Sequence, residues 1–291
     1  MRFFIIVFFV LFSFFSCKLE SKHTVDVSNI NANLSIDRYE VDFYTASKDS
    51  LKNLKNKYPY LFPKEFTDSI ALAKISNKDE QELFLESQKI YKNISNLDSQ
   101  LTSLFKYVKY YNPKFRSPKV VTMLSNIDYE NRVIYADSLL FISLDSYLGS
   151  KHKFYADYPK YIKQNNTDKN IIIDVANSII NKQLLSISNR SFISKIIYEG
   201  KKMYLLDMYV KGVSDSIKIG YSEDKMQWAT FNEEDIWKYF IERKLLFSTD
   251  TKLNKRFIDN APFSKFYLEN DSDSPGRIGV WLGWQIVRSF M

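Results

Sequence analysis

Asn170-Ile-Ile-Ile-Asp-Val-Ala-Asn-Ser-Ile-Ile-Asn-Lys-Gln-Leu-Leu-Ser186 is the stretch on which the fold turns. Ile172, Val175, Ile179, Ile180 and Leu184 recur at helical spacing and cover most of a cylinder. The remainder, Asp174, Asn177, Ser178 and Asn181, falls at i, i+3, i+4 and i+7. Residues so spaced share one face, so the stretch predicts a largely buried helix with one narrow polar stripe. A second helix is expected over Ser191–Tyr209, carrying Tyr198-Glu-Gly-Lys201.

Upstream, the apolar runs Val133–Ala136 and Leu139–Leu144 predict strands, joined by Lys119–Ile127 in a small antiparallel sheet. Ile36–Tyr44 alternates in the manner of a further strand. Helices are expected over Thr45–Tyr58 and Phe66–Ile75, separated by the aromatic break Tyr58-Pro-Tyr-Leu-Phe-Pro63. Asn77–Asn93, opening on the capping-box pattern Asn77-Lys-Asp-Glu80, and Leu97–Tyr110 predict an antiparallel helix pair. Beyond Tyr155 the pattern is helical, with Glu223–Thr230, Asn232–Phe247 and Gly279–Phe290 as the later helices. Helices, then a sheet, then helices imply an α+β, predominantly helical fold. A single domain is expected over 36–291, with helices and sheet in 36–150 and a helical part in 151–291.

The chain has 291 residues, 45% of them hydrophobic, and 41 basic against 34 acidic residues, a formal charge of +7. The charges are interspersed rather than run together, so the basic balance is compositional and no nucleic-acid partner is expected. Seven glycines and the lack of a glycine-rich phosphate loop argue against a nucleotide cradle.

Arg2 followed by the apolar run Phe3–Phe15 and then Ser16-Cys17 has the layout of a secretory signal. The run is too short for a comfortable bilayer span. Cys17 is the only cysteine, and a polar segment from Lys18 to Thr24 follows it. The pattern resembles a bacterial lipoprotein signal, which implies removal of 1–16, acylation of Cys17 and a tether over 17–35. A plain signal peptide and an uncleaved anchor are the alternatives. A lipid would hold the domain at a membrane of the cell envelope.

Metallopeptidases place His-Glu-x-x-His on a stripe like that of Asn170–Ser186, because side chains four apart can grip one ion. A Glu on the next helix is often a further ligand, and two strands, a long helix and a helix with Glu-Gly is the order of a zinc-peptidase core. Here the frame holds Asp174-Val-Ala-Asn-Ser178, with Glu199 on the next helix. Val175 stands where the general base would be, and Ser178 is a poor zinc ligand. The two histidines, His23 and His152, lie off this helix. No metal, other cofactor or catalytic residue is therefore expected. Asp174, Ser178 and Glu199 read as a vestigial peptidase-like cleft bounded by Asn170–Ser186, Ser191–Tyr209 and the C-terminal helix. The plain alternative is a hydrogen-bonded helix face, and the functional one a divergent hydrolase using Asp174 and Glu199.

Asn232-Glu-Glu-Asp235 reads as a helix cap followed by an acidic first turn. At the C-terminus, Gly279 and Gly283 predict a small-residue face for close backbone approach, with Trp281 and Trp284 packing beside it. Arg277 and Arg288 are candidates for pairing with a buried carboxylate such as Glu199 or Asp174, or for contact with a partner.

Several stretches together carry a family likeness. They are Leu144-Asp-Ser-Tyr-Leu-Gly149, Tyr158-Pro-Lys-Tyr161, Glu199-Gly-Lys-Lys-Met-Tyr-Leu-Leu-Asp207, Asn232-Glu233 with Ile236-Trp237, and Leu245-Leu-Phe-Ser-Thr-Asp250. Ala261-Pro-Phe263 and Ser274-Pro-Gly-Arg-Ile-Gly279 through Gly283-Trp-Gln-Ile-Val-Arg-Ser289 complete the set. In these the mature chain resembles the gliding-motility lipoproteins of the GldB family of the Bacteroidetes, themselves similar to zinc peptidases. The resemblance implies a periplasm-facing lipoprotein that works with gliding and type IX secretion proteins; the missing histidines, not the resemblance, point to a binding or assembly component rather than an enzyme.

Overall fold

The structure, a computed structural model, describes residues 25–291. The signal segment 1–16, Cys17, His23 and the first part of the tether lie outside the described residues. The chain divides after Asn31. In the described part of the first unit, Ile30 N–H donates to the Val27 carbonyl at 3.1 Å and Ser28 N–H to Asp26 Oδ1 at 2.8 Å. Ala32–Met291 forms the second unit.

The second unit begins with β1 (Ile36–Arg38), α1 (Tyr39–Tyr44), α2 (Leu51–Lys57), α3 (Asp68–Ser76), α4 (Lys78–Tyr91) and α5 (Ser95–Tyr111). Next come β2 (Lys119–Met123), β3 (Val133–Ala136) and β4 (Leu139–Ser143), then α6 (Lys160–Lys163), α7 (Asp168–Gln183) and α8 (Phe192–Tyr209). The chain closes with α9 (Asp215–Ile219), α10 (Glu223–Phe231), α11 (Glu233–Glu242), α12 (Lys252–Phe257) and α13 (Ile278–Phe290). The fold is α+β and mostly helical. Among the described residues no helix is long and apolar enough to cross a membrane.

The sheet is mixed rather than antiparallel. Its order is β1-β2-β4-β3, with β1–β2 and β2–β4 parallel and only the β3–β4 hairpin antiparallel. Parallel neighbours need a long crossover, and α1–α5 supply it between β1 and β2. The expected strand Ile36–Tyr44 is also corrected. Only Ile36–Arg38 pairs, and the chain then turns into α1. Tyr39 and Phe43, like Glu40 and Tyr44, lie four apart and are buried, a spacing that suits a helix. Glu40 is fully buried, where Thr122 Oγ1 at 2.7 Å and Arg38 Nε at 2.9 Å donate to it.

The capping-box pattern at Asn77 is half realised. Asn77 Oδ1 accepts from Asp79 and Glu80 N–H, while the Glu80 carboxylate bonds Tyr44 and Lys74 instead of reaching back. Asn232 does not cap with its side chain, which donates to the Trp228 carbonyl at 2.8 Å. The helix that follows stops at Glu242, short of the expected Phe247. Lys244 has φ +53°, and Leu245 N–H bonds the Phe240 carbonyl in a Schellman-like ending.

Helix α7 is largely buried, through Ile171, Ile172, Ile173, Val175, Ala176, Ile179 and Ile180. Each of the isoleucine and valine side chains contributes roughly 1.5–3 kcal/mol relative to exposure. Helix α13 is buried nearly all round, and it packs on α8 through backbone. A Cβ on Gly283 would lie 1.8 Å from the Ile196 carbonyl oxygen, and one on Gly200 would lie 2.1 Å from that of Gly283. Neither site has room for a methyl group.

Alanine in place of glycine inside a helix normally gains roughly 0.5–1 kcal/mol. Here the sign should reverse. Gly200→Ala and Gly283→Ala are each expected to destabilise by about 2–3 kcal/mol, because a whole helix must shift. Denaturant midpoints measure this, and a neutral or stabilising result at either position would refute the contact.

Candidate functional site

The polar stripe of α7 faces a cleft of about 580 Å³ whose lining includes Asp174, Asn177, Ser178 and Asn181. Arg132, Tyr161, Asn165 and Asn260 close it from other segments. Asp174 is the organised centre. Its Oδ2 accepts from Tyr147 Oη at 2.7 Å and pairs with the Arg132 guanidinium at 3.0 Å. Burial pushes the Asp174 carboxyl above its ordinary pKa, while the Arg132 charge and the Tyr147 hydroxyl pull against that rise. Arg132 also donates to the Asn165 carbonyl at 3.1 Å, which ties two walls of the cleft together.

Tyr147 is held by an unusual loop. Asn126 and Ile127 both have positive φ, at +58° and +62°. That region is strained for a β-branched side chain, and the strain persists only where surroundings over-determine it. The buried carboxylate of Asp145 provides this, accepting from Ser125 N–H at 3.0 Å and Ile127 N–H at 2.7 Å. Burial raises the Asp145 pKa, and those same backbone donors oppose the rise. Tyr155 Oη donates to the Asp145 carbonyl and accepts from Leu148 N–H at 2.9 Å. Tyr158 Oη donates to the Ile127 carbonyl at 2.7 Å. The stretches Leu144–Gly149 and Tyr158–Tyr161 thus build the support of the cleft.

Glu199 is not among the cleft's lining residues and pairs instead with Lys202 at 2.9 Å. Ser178 Oγ donates back to the Val175 carbonyl at 2.7 Å. Among the described residues, no group of three or more His, Cys, Asp and Glu could hold a metal ion. The region between α8 and α13, expected to bound the cleft, is closed by the Gly200–Gly283 contact. The cleft lies on the other side of α7, against the 129–133 and 161–165 segments.

The C-terminal residues serve another centre. Trp281 and Trp284 are buried, and Trp284 Nε1 donates to Asp207 Oδ2 at 2.8 Å. Arg288 grips Asp207 with two hydrogen bonds, at 2.7 and 2.8 Å, also bonds Asp215, and lies 3.8 Å from the Trp284 ring centroid. Lys218 adds a second cation at 2.7 Å. The carboxylates that meet Arg288 are therefore Asp207 and Asp215, not Glu199 or Asp174. Arg277 meets no carboxylate here, and its Nη1 donates to the Ile219 carbonyl at 3.1 Å. Asp207, Asp145, Tyr147 and Arg132 were not singled out from the sequence as site residues. The only signal was that the first three lie inside the stretches that carry the family likeness.

Burial works against ionisation of Asp207, but hydrogen bonds from Arg288 and Lys218 outweigh it and hold the pKa below the ordinary carboxylate range. A depressed folded-state pKa gives stability that is present above the unfolded value near 4 and lost as pH falls through the folded one. Arg288→Ala is therefore expected to cost about 2–4 kcal/mol at neutral pH. The cost should shrink as pH drops below about 4. Denaturant titrations at several pH values measure both, and an equal loss at acidic and neutral pH would contradict the pairing.

The sequence pattern of one family, described as gliding motility protein GldB, matches residues 20–291. No curated protein and no solved structure matches the chain, so no structural neighbour supports the likeness to zinc peptidases. The match spans nearly the whole chain, including every segment that builds the cleft and the Asp207 centre, and on that ground the chain belongs to the family of the gliding motility protein GldB.

Proposed function

We propose that the protein is a non-catalytic, lipid-anchored component of the cell envelope that supports gliding motility, and with it type IX secretion, by binding a partner in the α7 cleft. The observation that carries this is the state of Asp174. The acid at the head of the stripe is neutralised by Arg132 and hydrogen-bonded by Tyr147, and the residues beside it are amides and a hydroxyl. Such a surface offers donors and acceptors for recognition but no free acid–base pair. In this view α7 occupies the place of the metal-binding helix of a peptidase, and the stripe has become a contact face. Cys17 would carry the lipid and hold the cleft at the membrane, facing the periplasm. The position of Glu199, which is not among the residues lining the cleft, supports this reading over a hydrolase built on Asp174 and Glu199.

Asn181 is exposed at the end of the stripe, so Asn181→Arg fills the cleft without disturbing the core. Cells carrying it in place of the native gene are expected to lose most colony spreading while keeping normal amounts of the protein in the membrane fraction. Glu199→Gln cells are expected to spread normally. Full spreading with Asn181→Arg at normal abundance would refute the cleft as the working surface.

A further inference from the structure

A second cavity, of about 390 Å³, adjoins the cleft and shares Tyr161, Asn165 and Asn260 with it. Three cations line it, Lys160, Lys225 and Arg277, and no carboxylate does. Lys225 is half-buried and spends its three protons on the carbonyls of Ser272, Asp273 and Ser274, at 2.7, 2.9 and 3.0 Å. It is fixed in place by carbonyl groups and makes no direct ion pair among the described residues. Burial pushes its pKa down; Asp273 opposes the shift and the neighbouring Lys160 charge adds to it. Lys160 is exposed and makes no ion pair among the described residues. Arg277 has φ +60°, a costly conformation for a non-glycine residue, and Tyr221 Oη bonds the adjacent Gly276 carbonyl at 2.7 Å. A guanidinium on a strained backbone, beside two lysines in a cavity that no carboxylate lines, forms a site for an oxyanion.

We propose that this cavity binds the carboxylate end of an extended polypeptide whose preceding residues lie in the α7 cleft. The inference rests on the binding role proposed for that cleft. Continuity decides for a polypeptide over a phosphate group. From the shared wall the lining passes to Asn177 and Asn181, and each Asn amide there offers a donor and an acceptor, as a peptide group requires. The terminal carboxylate would then meet Arg277 and Lys160, whose free N–H groups suit charge-assisted hydrogen bonds, with the fixed Lys225 charge behind them.

The test uses full-length protein in detergent and fluorescence anisotropy. The probes are a randomised fluorescein-labelled hexapeptide pool with a free C-terminal carboxylate, the same pool amidated, and inorganic phosphate as competitor. The free-acid pool is expected to bind at least about tenfold more tightly, as one charge-assisted contact of 1.4 kcal/mol or more requires. The difference should vanish in Lys160→Glu, an exposed position that does not threaten folding, and in Arg277→Gln. Equal binding of both pools, abolished by Asn181→Arg, would overturn the chain-end assignment and leave the cleft role intact. Phosphate binding, read by calorimetry, with neither labelled pool bound would overturn the polypeptide assignment in favour of a phosphate ligand. Binding of no probe would overturn the assignment too, and the spreading assay would then decide the cleft role on its own.

Discussion

The close passage of α8 against α13 is the constraint on which the rest of the protein depends. Backbone meets backbone at Gly200 and Gly283, so neither helix can rotate or slide without collision. With α13 locked, Trp284 and Arg288 are brought onto Asp207 of α8, and Arg288 reaches on to Asp215 at the start of α9. The geometric lock and the buried ion cluster reinforce each other. The first excludes side chains, and the second satisfies the charges that the exclusion leaves at the helix ends.

Helix α7 is positioned by the same packing and turns its one polar stripe away from α8 and α13. What it meets there is a small structure with its own logic. Asp145 draws the N–H groups of a strained loop around its carboxylate, and the loop in turn seats Tyr147 against Asp174. Arg132 then bridges Asp174 and the 165 segment. The cleft is thus preorganised by hydrogen bonds, and of the two carboxylates that line it, Asp174 is held by Arg132 while Glu130 stands at the rim of the 129–133 segment.

The long helices were legible because their apolar periods are strong. Asn170–Ser186 lies two or three residues off the observed helix at each end, and Ser191–Tyr209 differs from its helix by one residue. The sheet was not legible, since runs such as Lys119–Ile127 look alike in parallel and antiparallel pairing, and only the length of the connections separates them. Tyr39–Tyr44 shows the same limit at short range, where an alternating pattern and a one-turn helix compete and burial of Glu40 decides. The stripe on α7 could be read from spacing alone. Its partners could not, because Arg132, Tyr147 and Asn260 come from distant segments. Glu199 was drawn in by sequence spacing to an imagined metal frame, whereas the neighbouring glycine explains the Glu-Gly pair by packing.

The central claim is that the α7 stripe is a binding face and not a metal centre. Zinc sites need three or four His, Cys or carboxylate ligands, and the cleft offers only Glu130 and an Asp174 already engaged by Arg132. Native mass spectrometry of full-length protein from zinc-replete cells tests this most directly. The expected result is a mass without stoichiometric metal, unchanged in Asp174→Ala apart from the substitution itself. One metal per chain, lost in Asp174→Ala, would contradict the account and return the cleft to hydrolytic chemistry.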